Sequence, residues 1–210
     1  GAIFTNNVGP FEKMKLRMLN GTHSMLAYVG FHCGHRYVRD VMNDKVLSSL
    51  VNRHLQIAAQ TLKPIKGIDY NNYAKSLILR FSNPEIAHET FQIAMDGSEK
   101  MQQRIFYPLK DAISLNLNIR PFAFAIAAWL RHISQSKHDC APYELRDPIA
   151  DQLTPLPKER SAHSILDYLS RIGFLIDDLK EDKMFWGQVS DILNDMLCKP
   201  MKSVVEQEII

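Results

Sequence analysis

The sequence lacks several features that mark particular classes of protein. Its 210 residues include only three cysteines, Cys33, Cys140 and Cys198, which lie far apart and follow no metal-binding spacing. This usage is typical of a reducing compartment, so we expect a cytoplasmic protein without a metal site. No stretch approaches the roughly 18 uninterrupted apolar residues of a membrane-spanning helix, and the N-terminus lacks a signal-peptide pattern. We therefore expect no membrane partner.

An excess of positive or negative charge is also absent. The net charge is +2, and Lys and Arg form no long or clustered run. Charged residues mostly interrupt helical patterns, as on a solvated face. Nothing in this distribution indicates a polyanion, so we expect no nucleic-acid partner.

Sustained alternation of apolar and polar residues is absent as well, which argues against β-strands. Apolar residues recur instead at three- and four-residue spacing, which predicts helices. These helices are expected over residues 10–31, 38–42, 44–62, 70–81, 85–95, 97–115, 121–130, 149–153, 159–170 and 182–198, with a last one after Pro200. Pro108 predicts a kink or break in its helix. The sequence thus predicts one all-α domain over residues 1–210.

Three polar side chains lie on the apolar first helix. At about 100° per residue, with Lys15 at zero, His23 comes near 80° and Asn20 near 140°, so all three can face one side. Along the axis, Asn20 and His23 are about 4.5 Å apart, but Lys15 and His23 are about 12 Å apart. Their convergence requires either a lysine stem folded along the axis or a helix distorted near Gly21.

Four sequence blocks, in this order, resemble one enzyme family. The first runs from Lys15 to Ser24, and the others are Arg80-Phe81-Ser82-Asn83-Pro84, Asp96-Gly97-Ser98 and Ala127-Ala128-Trp129-Leu130-Arg131. Together they look like the polyol-specific long-chain dehydrogenases, which include mannitol 2-dehydrogenase, fructuronate reductase (D-mannonate oxidoreductase) and tagaturonate reductase. The resemblance spans roughly residues 3–150.

The resemblance implies that two separate domains bind the cofactor and the substrate. Family members carry an N-terminal Rossmann domain that binds NAD(P) and a helical C-terminal domain that supplies the substrate site. No Gly-x-Gly-x-x-Gly turn follows a strand in this sequence, so the chain looks like the C-terminal domain alone. The implied fold is multi-helical and similar to the C-terminal domain of 6-phosphogluconate dehydrogenase. We expect NAD or NADP to be bound mainly by an N-terminal Rossmann domain outside this chain, and the chain alone to be inactive.

The start at Gly1-Ala2, without methionine, supports the same expectation, because it suggests a processed piece of a longer protein. On this interpretation, the Rossmann domain is the main protein partner of the chain. The small-molecule partner is a sugar acid or a polyol.

The resemblance also implies roles for individual residues. Lys15 matches the lysine that serves the family as general acid/base, which requires burial or a neighbouring positive charge to lower a lysine pKa. Asn20 matches an asparagine that hydrogen-bonds the reacting oxygen. His23 matches a histidine that orients the substrate through its hydroxyls. A further oxyanion-binding asparagine belongs to the N-terminal domain of the family.

A second group of residues bears on the choice of substrate. The block from His88 to Arg104 looks most like that of the fructuronate reductases, although Met101-Gln102 replaces their usual Leu-Pro. Because the planar fork of arginine suits a carboxylate, we expect Arg104, helped by Lys100, to bind the carboxylate of a hexuronate.

Two rival interpretations stand beside this one. The first is a mannitol 2-dehydrogenase-type polyol dehydrogenase of the same family. The second is a non-catalytic helical interaction module, since a lysine, an asparagine and a histidine on a helix are more often capping or satisfied core groups than catalysts. The presence of Lys15, Asn20 and His23 together argues for an enzyme.

Overall fold

The computed structural model describes residues 5–135, 142–153, 161–174, 179 and 182–209. Over these residues the fold is all-α, as the sequence predicts, and the described part of the chain contains no β-strand. A single isolated bridge pairs Tyr37 with Glu89. The described residues include no helix that is both long and apolar enough to cross a membrane.

The predicted first helix runs without a break from Gly9 to His32, but its middle is not α-helical. It comprises α1 (Gly9–Met14), a π-helical segment π1 (Lys15–Gly21) and α2 (Thr22–His32). A π-helix bonds residue i to residue i+5 and is frequent at functional sites. The helix distortion expected near Gly21 is therefore present, immediately before α2.

Four helices follow along the chain. They are α3 (Val38–Asn43), α4 (Lys45–Gln60), α5 (Tyr70–Phe81) and α6 (Thr90–Ala94). The Asp69 carboxylate accepts hydrogen bonds from the backbone N–H groups of Asn71 and Asn72 and so caps the N-terminus of α5.

The helix predicted over 85–95 is wrong in its first half. Residues 85–89 form no helix, because their backbone pairs with the chain after α2. The N–H of Val38 donates to the carbonyl of His88, and the N–H of Thr90 donates to the carbonyl of Arg36. These contacts between distant residues replace the local helical hydrogen bonds.

The helix predicted from the Asp96–Ser98 turn also contains a π segment. It comprises α7 (Gly97–Met101), π2 (Gln102–Phe106) and α8 (Tyr107–Ser114). Pro108 has no N–H, so the carbonyl of Arg104 lacks the donor that an α-helix would provide four residues later. The predicted kink at Pro108 is thus accommodated as a π turn just before it, and the helix continues.

The core of the domain is α9 (Arg120–Ile133), of which every residue after Arg120 is buried. It packs against α2 and the later helix α12 (Lys183–Cys198). The remaining described helices are α10 (Ala150–Leu153), α11 (Ala162–Arg171) and α13 (Met201–Ile209). The predicted helix from 159 begins later, after the Ser161 cap, and residues 159–160 lie outside the described residues.

The burial of Arg131 and His132 is not what the sequence alone suggests. Two basic residues at the end of α9 suggest a charge pair that favours the helix dipole, yet both side chains are buried. Burial lowers the pKa of His132 to about 3. His132 is therefore neutral at neutral pH and belongs to the core.

Candidate active site

The π-helical segment π1 changes the geometry of Lys15, Asn20 and His23. In a π-helix the residue five positions along takes the place that residue i+4 has in an α-helix. Asn20 therefore lies one turn above Lys15 on the same face, and His23 lies three residues further within the α-helical part. Lys15 and His23 remain about two turns apart, roughly 10 Å. The three residues thus form a line along one side of the helix.

Lys15 and Asn20 present free polar ends along this line. Lys15 is exposed and Asn20 is half-buried. Neither side chain has a hydrogen bond or ion pair among the residues that the structure describes. Both are therefore available to a ligand.

The opposite side of π1 is anchored to the core by Arg17, which is 3% exposed. Its Nη1 donates to the carbonyl of Thr61 at 2.8 Å, and its Nη2 bonds the carboxylate of Asp111 on α8. Because the guanidinium is held by two elements, it fixes the rotation of π1 about its axis. Lys15 and Asn20 then face outward.

His23 contacts two other rings. Its imidazole stacks on the ring of Phe81 with centroids 5.4 Å apart and planes 4° from parallel. The ring of His88 is tilted relative to that of His23, with centroids 5.8 Å apart. These contacts fix the orientation of His23 at the end of the line.

The surroundings of His23 are positively charged. Burial is the main cause that lowers the pKa of His23 from its ordinary 6.5 to about 4. Further lowering comes from nearby basic side chains, namely His88, Arg104, Arg80 and Lys100. His23 is therefore neutral at neutral pH, so one ring nitrogen can donate a hydrogen bond and the other can accept one.

Arg104 reaches this region from π2. Its Nη1 donates to Ser24 Oγ at 3.0 Å, which ties the guanidinium to the residue after His23. Its backbone carbonyl lies against Gly21, where an added β-carbon would be 2.7 Å away. The two π segments therefore meet at Gly21, and Arg104 lies beside His23.

Lys100 contacts the turn that precedes its own helix. Its amino group donates to the carbonyl of Met95 at 2.6 Å and lies 3.4 Å from the Asp96 carboxylate. These contacts hold the turn at Asp96, which has a left-handed backbone with φ of 56°. Lys100 adds positive charge near His23, while its own hydrogen bonds serve the turn.

A small pocket opens beside His23. It has a volume of about 30 Å³, far below the several hundred Å³ of a typical ligand site. Its lining combines apolar and basic side chains, which are Leu19, His23, Val38, Arg80, Phe81, Ile86 and His88.

Arg80, His88 and Ser24 are the neighbours of His23 that the sequence did not assign to the site. Arg80 belongs to a block that carried the family resemblance, but its nearness to His23 depends on the packing of α5 against the first helix. Among the described residues, no group of three or more histidine, cysteine or acidic side chains is placed to hold a metal ion.

Comparison with known proteins agrees with this architecture. A family model described as the mannitol dehydrogenase C-terminal domain matches residues 7–197. The chain belongs to this family. The predicted resemblance is therefore confirmed, and with it the all-α C-terminal fold.

The chain matches less than half the length of individual members of the mannitol dehydrogenase family. It is 36% identical to D-mannonate oxidoreductase of Escherichia coli (strain K12), a match covering 90% of this chain and 40% of the relative. It is 33% identical to mannitol 2-dehydrogenase of Aspergillus oryzae, covering 91% and 38% respectively.

In a comparison with a solved structure, the chain again covers about two fifths of the other protein's length. The ternary complex of Pseudomonas fluorescens mannitol 2-dehydrogenase with NAD and D-mannitol superimposes with a TM-score of 0.90 at 25% identity. The match covers 99% of this chain and 42% of that protein. This chain thus spans about two fifths of the length of its relatives.

Proposed function

We propose that this chain is the substrate domain of an NAD(P)-dependent oxidoreductase that interconverts a keto-hexuronate and its aldonate, D-fructuronate and D-mannonate. The observation that carries the proposal is the alignment of Lys15, Asn20 and His23 on one face by π1, next to a cluster of basic side chains. Two of the relatives named above act, by their names, on D-mannonate and on mannitol, which supports a sugar acid or polyol as substrate.

In this proposal each residue of the line has one task. Lys15 donates a proton to the carbonyl oxygen during reduction and removes the hydroxyl proton during oxidation. The amide of Asn20 donates a hydrogen bond to the same oxygen as negative charge develops on it. His23, neutral and fixed by Phe81, exchanges hydrogen bonds with hydroxyls of the substrate.

The roughly 10 Å between Lys15 and His23 fits an elongated substrate. A linear sugar chain can place its reacting carbon near Lys15 while hydroxyls further along reach His23. Convergence of the two side chains on one atom is then unnecessary. This removes the difficulty that a straight α-helix would present.

A nicotinamide cofactor supplies or accepts the hydride when bound. The described residues offer it no strand followed by a glycine-rich turn, the arrangement that holds a dinucleotide phosphate. We therefore assign cofactor binding to a Rossmann domain outside this chain. The relatives, which are more than twice as long, have room for such a domain.

Arg104 is the residue that we propose to bind the substrate carboxylate. Ser24 holds one side of its guanidinium, and the remaining N–H groups have no partner among the described residues. Burial lowers the pKa of Arg104, and a bound anion would compensate the cost of burying this charge. Lys100 adds positive charge and keeps the Asp96 turn in place.

An assay of the intact protein that carries this domain tests the proposal. We expect it to reduce D-fructuronate with a far higher kcat/KM than neutral D-fructose. Arg104→Ala should lower kcat/KM for D-fructuronate about tenfold to hundredfold, since a charge-assisted hydrogen bond contributes roughly 1.5–3 kcal/mol. Arg171→Ala is the control, because Arg171 is exposed and its ion pair among the described residues is to Asp167 of its own helix.

The opposite preference would identify a polyol dehydrogenase of the mannitol 2-dehydrogenase type. That alternative rests on the close structural likeness to mannitol 2-dehydrogenase. A protein that turns over neither substrate with either cofactor would instead support the non-catalytic interaction module.

A further inference from the structure

Arg17 is a buried charged residue in the middle of π1, between Lys15 and Asn20. Its side chain is only 4% exposed. Burying a guanidinium is costly unless its N–H groups are paired. An apolar side chain would pack against the core without that cost, but apolar contacts have no preferred direction. Hydrogen bonds from a buried arginine are directional, so they can fix the rotation of a helix about its axis.

The two partners of Arg17 belong to different helices. Nη1 donates to the carbonyl of Thr61, which directly follows α4, at 2.8 Å, and Nη2 bonds the carboxylate of Asp111 on α8. Burial opposes ionisation of Asp111, but the hydrogen bond and the charge of Arg17 bring the pKa of Asp111 below its ordinary value. Asp111 is therefore ionised at neutral pH, and the bond is charge-assisted.

These bonds also bear on why π1 is not α-helical. In an α-helix Asn20 would be rotated by about 140° from Lys15, whereas the π turn brings the two to one face. Such turns are rare, so contacts around them must hold them in place. Gly21, at the end of π1, lies against the carbonyl of Arg104. Arg17 and Gly21 are thus both fixed to the core, and a return to α-helical register would rotate one relative to the other.

We propose that Arg17, held by Asp111, is a positioning residue for the proton transfer. It keeps π1 in its π register and so keeps Lys15 and Asn20 on one face, without contacting the substrate itself. The inference rests on the proposed function and deepens it, because it assigns the alignment of the two reacting groups to a buried ion pair behind them.

The main experiment is Arg17→Met in the intact protein. We expect kcat for D-fructuronate to fall about tenfold to hundredfold, because a small displacement of reacting groups is enough for such a loss, while KM changes less than about threefold. Arg17→Lys keeps the charge but lacks the planar fork for two acceptors, so kcat should fall by an intermediate factor. Asp111→Asn leaves the bond to Thr61 intact and should lower kcat less than Arg17→Met.

Two control variants separate this role from stability. Lys13→Met removes the other, exposed ion pair of the same Asp111 carboxylate and should leave kcat unchanged. Glu208→Gln breaks a buried contact of a carboxylate with Arg53 and Arg120. It should lower the unfolding temperature, as Arg17→Met does, but leave kcat unchanged.

A double-mutant cycle with Asn20→Ala tests the alignment itself. Asn20→Ala alone should lower kcat about 10²- to 10³-fold, the usual loss for a donor to a developing oxyanion. In the Arg17→Met background the further loss should be much smaller, since the Asn20 amide is already displaced. Additive losses would show that Arg17 only stabilises the fold.

Amide hydrogen exchange over residues 15–21 provides a measurement that does not depend on turnover. It should become about tenfold faster or more in Arg17→Met and stay unchanged in Lys13→Met. Three outcomes would overturn the proposal: unchanged exchange in Arg17→Met, unchanged kcat in Arg17→Met, or full kcat in Arg17→Lys. The proposed function fails separately, through a wild-type protein that prefers D-fructose or a Lys15→Met variant with full activity. In the first case the same variants are assayed with D-fructose, and in the second the positioning role is refuted as well.

Discussion

Gly21 packs directly against the backbone carbonyl of Arg104. A β-carbon at position 21 would lie 2.7 Å from that oxygen, a distance at which the backbone itself must move. This contact joins π1 to π2 and links the helix that carries Lys15 and Asn20 to the helix that carries Arg104. It makes the candidate site depend on a residue without a side chain.

The first prediction concerns this contact. Gly21→Ala should destabilise the protein by roughly 1–3 kcal/mol, because the added methyl group collides with backbone and not with a flexible side chain. Denaturant unfolding measures the change. Gly187→Ala is the matched control, because Gly187 lies in α12 with no atom within 4 Å of the added β-carbon, and the variant should gain up to about 1 kcal/mol from helix propensity. Equal effects of the two substitutions would contradict the close approach.

The second prediction separates catalysis from stability at Lys15. Lys15→Met in the intact protein should lower kcat by about 10²- to 10⁴-fold, the usual contribution of a general acid/base. The unfolding temperature should stay unchanged, because Lys15 is exposed and has no partner within the described part of the chain. Lys13→Met, which removes only an exposed ion pair to Asp111, should leave kcat unchanged. Full activity of Lys15→Met would remove the catalytic assignment.

The third prediction concerns stability and pH. Burial lowers the pKa of His54 to about 4 and that of His132 to about 3, from an ordinary value of 6.5. Between pH 6.5 and about 4 the unfolded chain binds more protons than the folded one, so the free energy of unfolding falls as the pH is lowered. Each histidine contributes up to about 1.4 kcal/mol per pH unit.

Urea unfolding at pH 7 and pH 5 measures this effect. His54→Leu should reduce the difference between the two pH values, whereas His163→Gln should not, because His163 is exposed. A protein equally stable at both pH values would show that these histidines are not buried as described.

The fourth prediction concerns the C-terminal helix α13. The side chain of Glu208 is 3% exposed, and its carboxylate bonds both Arg53 of α4 and Arg120 of α9. Glu208→Gln should cost roughly 2 kcal/mol, because it leaves two arginines facing a neutral group. Glu206→Gln on the same helix is exposed and should change stability by less than about 0.5 kcal/mol. Comparable losses of stability in the two variants would argue against a stabilising role for the ion pairs of Glu208 with Arg53 and Arg120.

Local sequence patterns predicted most helices correctly. They failed where a segment forms hydrogen bonds with residues that are distant in the sequence. The caps and apolar spacing around Tyr70–Phe81 predict α5 correctly, because its hydrogen bonds are formed within the helix. Residues 85–89 were predicted to begin a helix as well, but their backbone pairs with the backbone near Tyr37. No local pattern contains that partner.

By itself, the sequence determined the all-α class, the family, and the presence of Lys15, Asn20 and His23 on one helix. Only the tertiary structure decided how these residues line up. The π turn in π1 coincides with the contact between Gly21 and Arg104, and Pro108 removes the α-helical donor from that same carbonyl. The meeting of Arg80, His88 and Arg104 around His23 likewise requires three separate elements to pack together, which spacing along the chain does not specify.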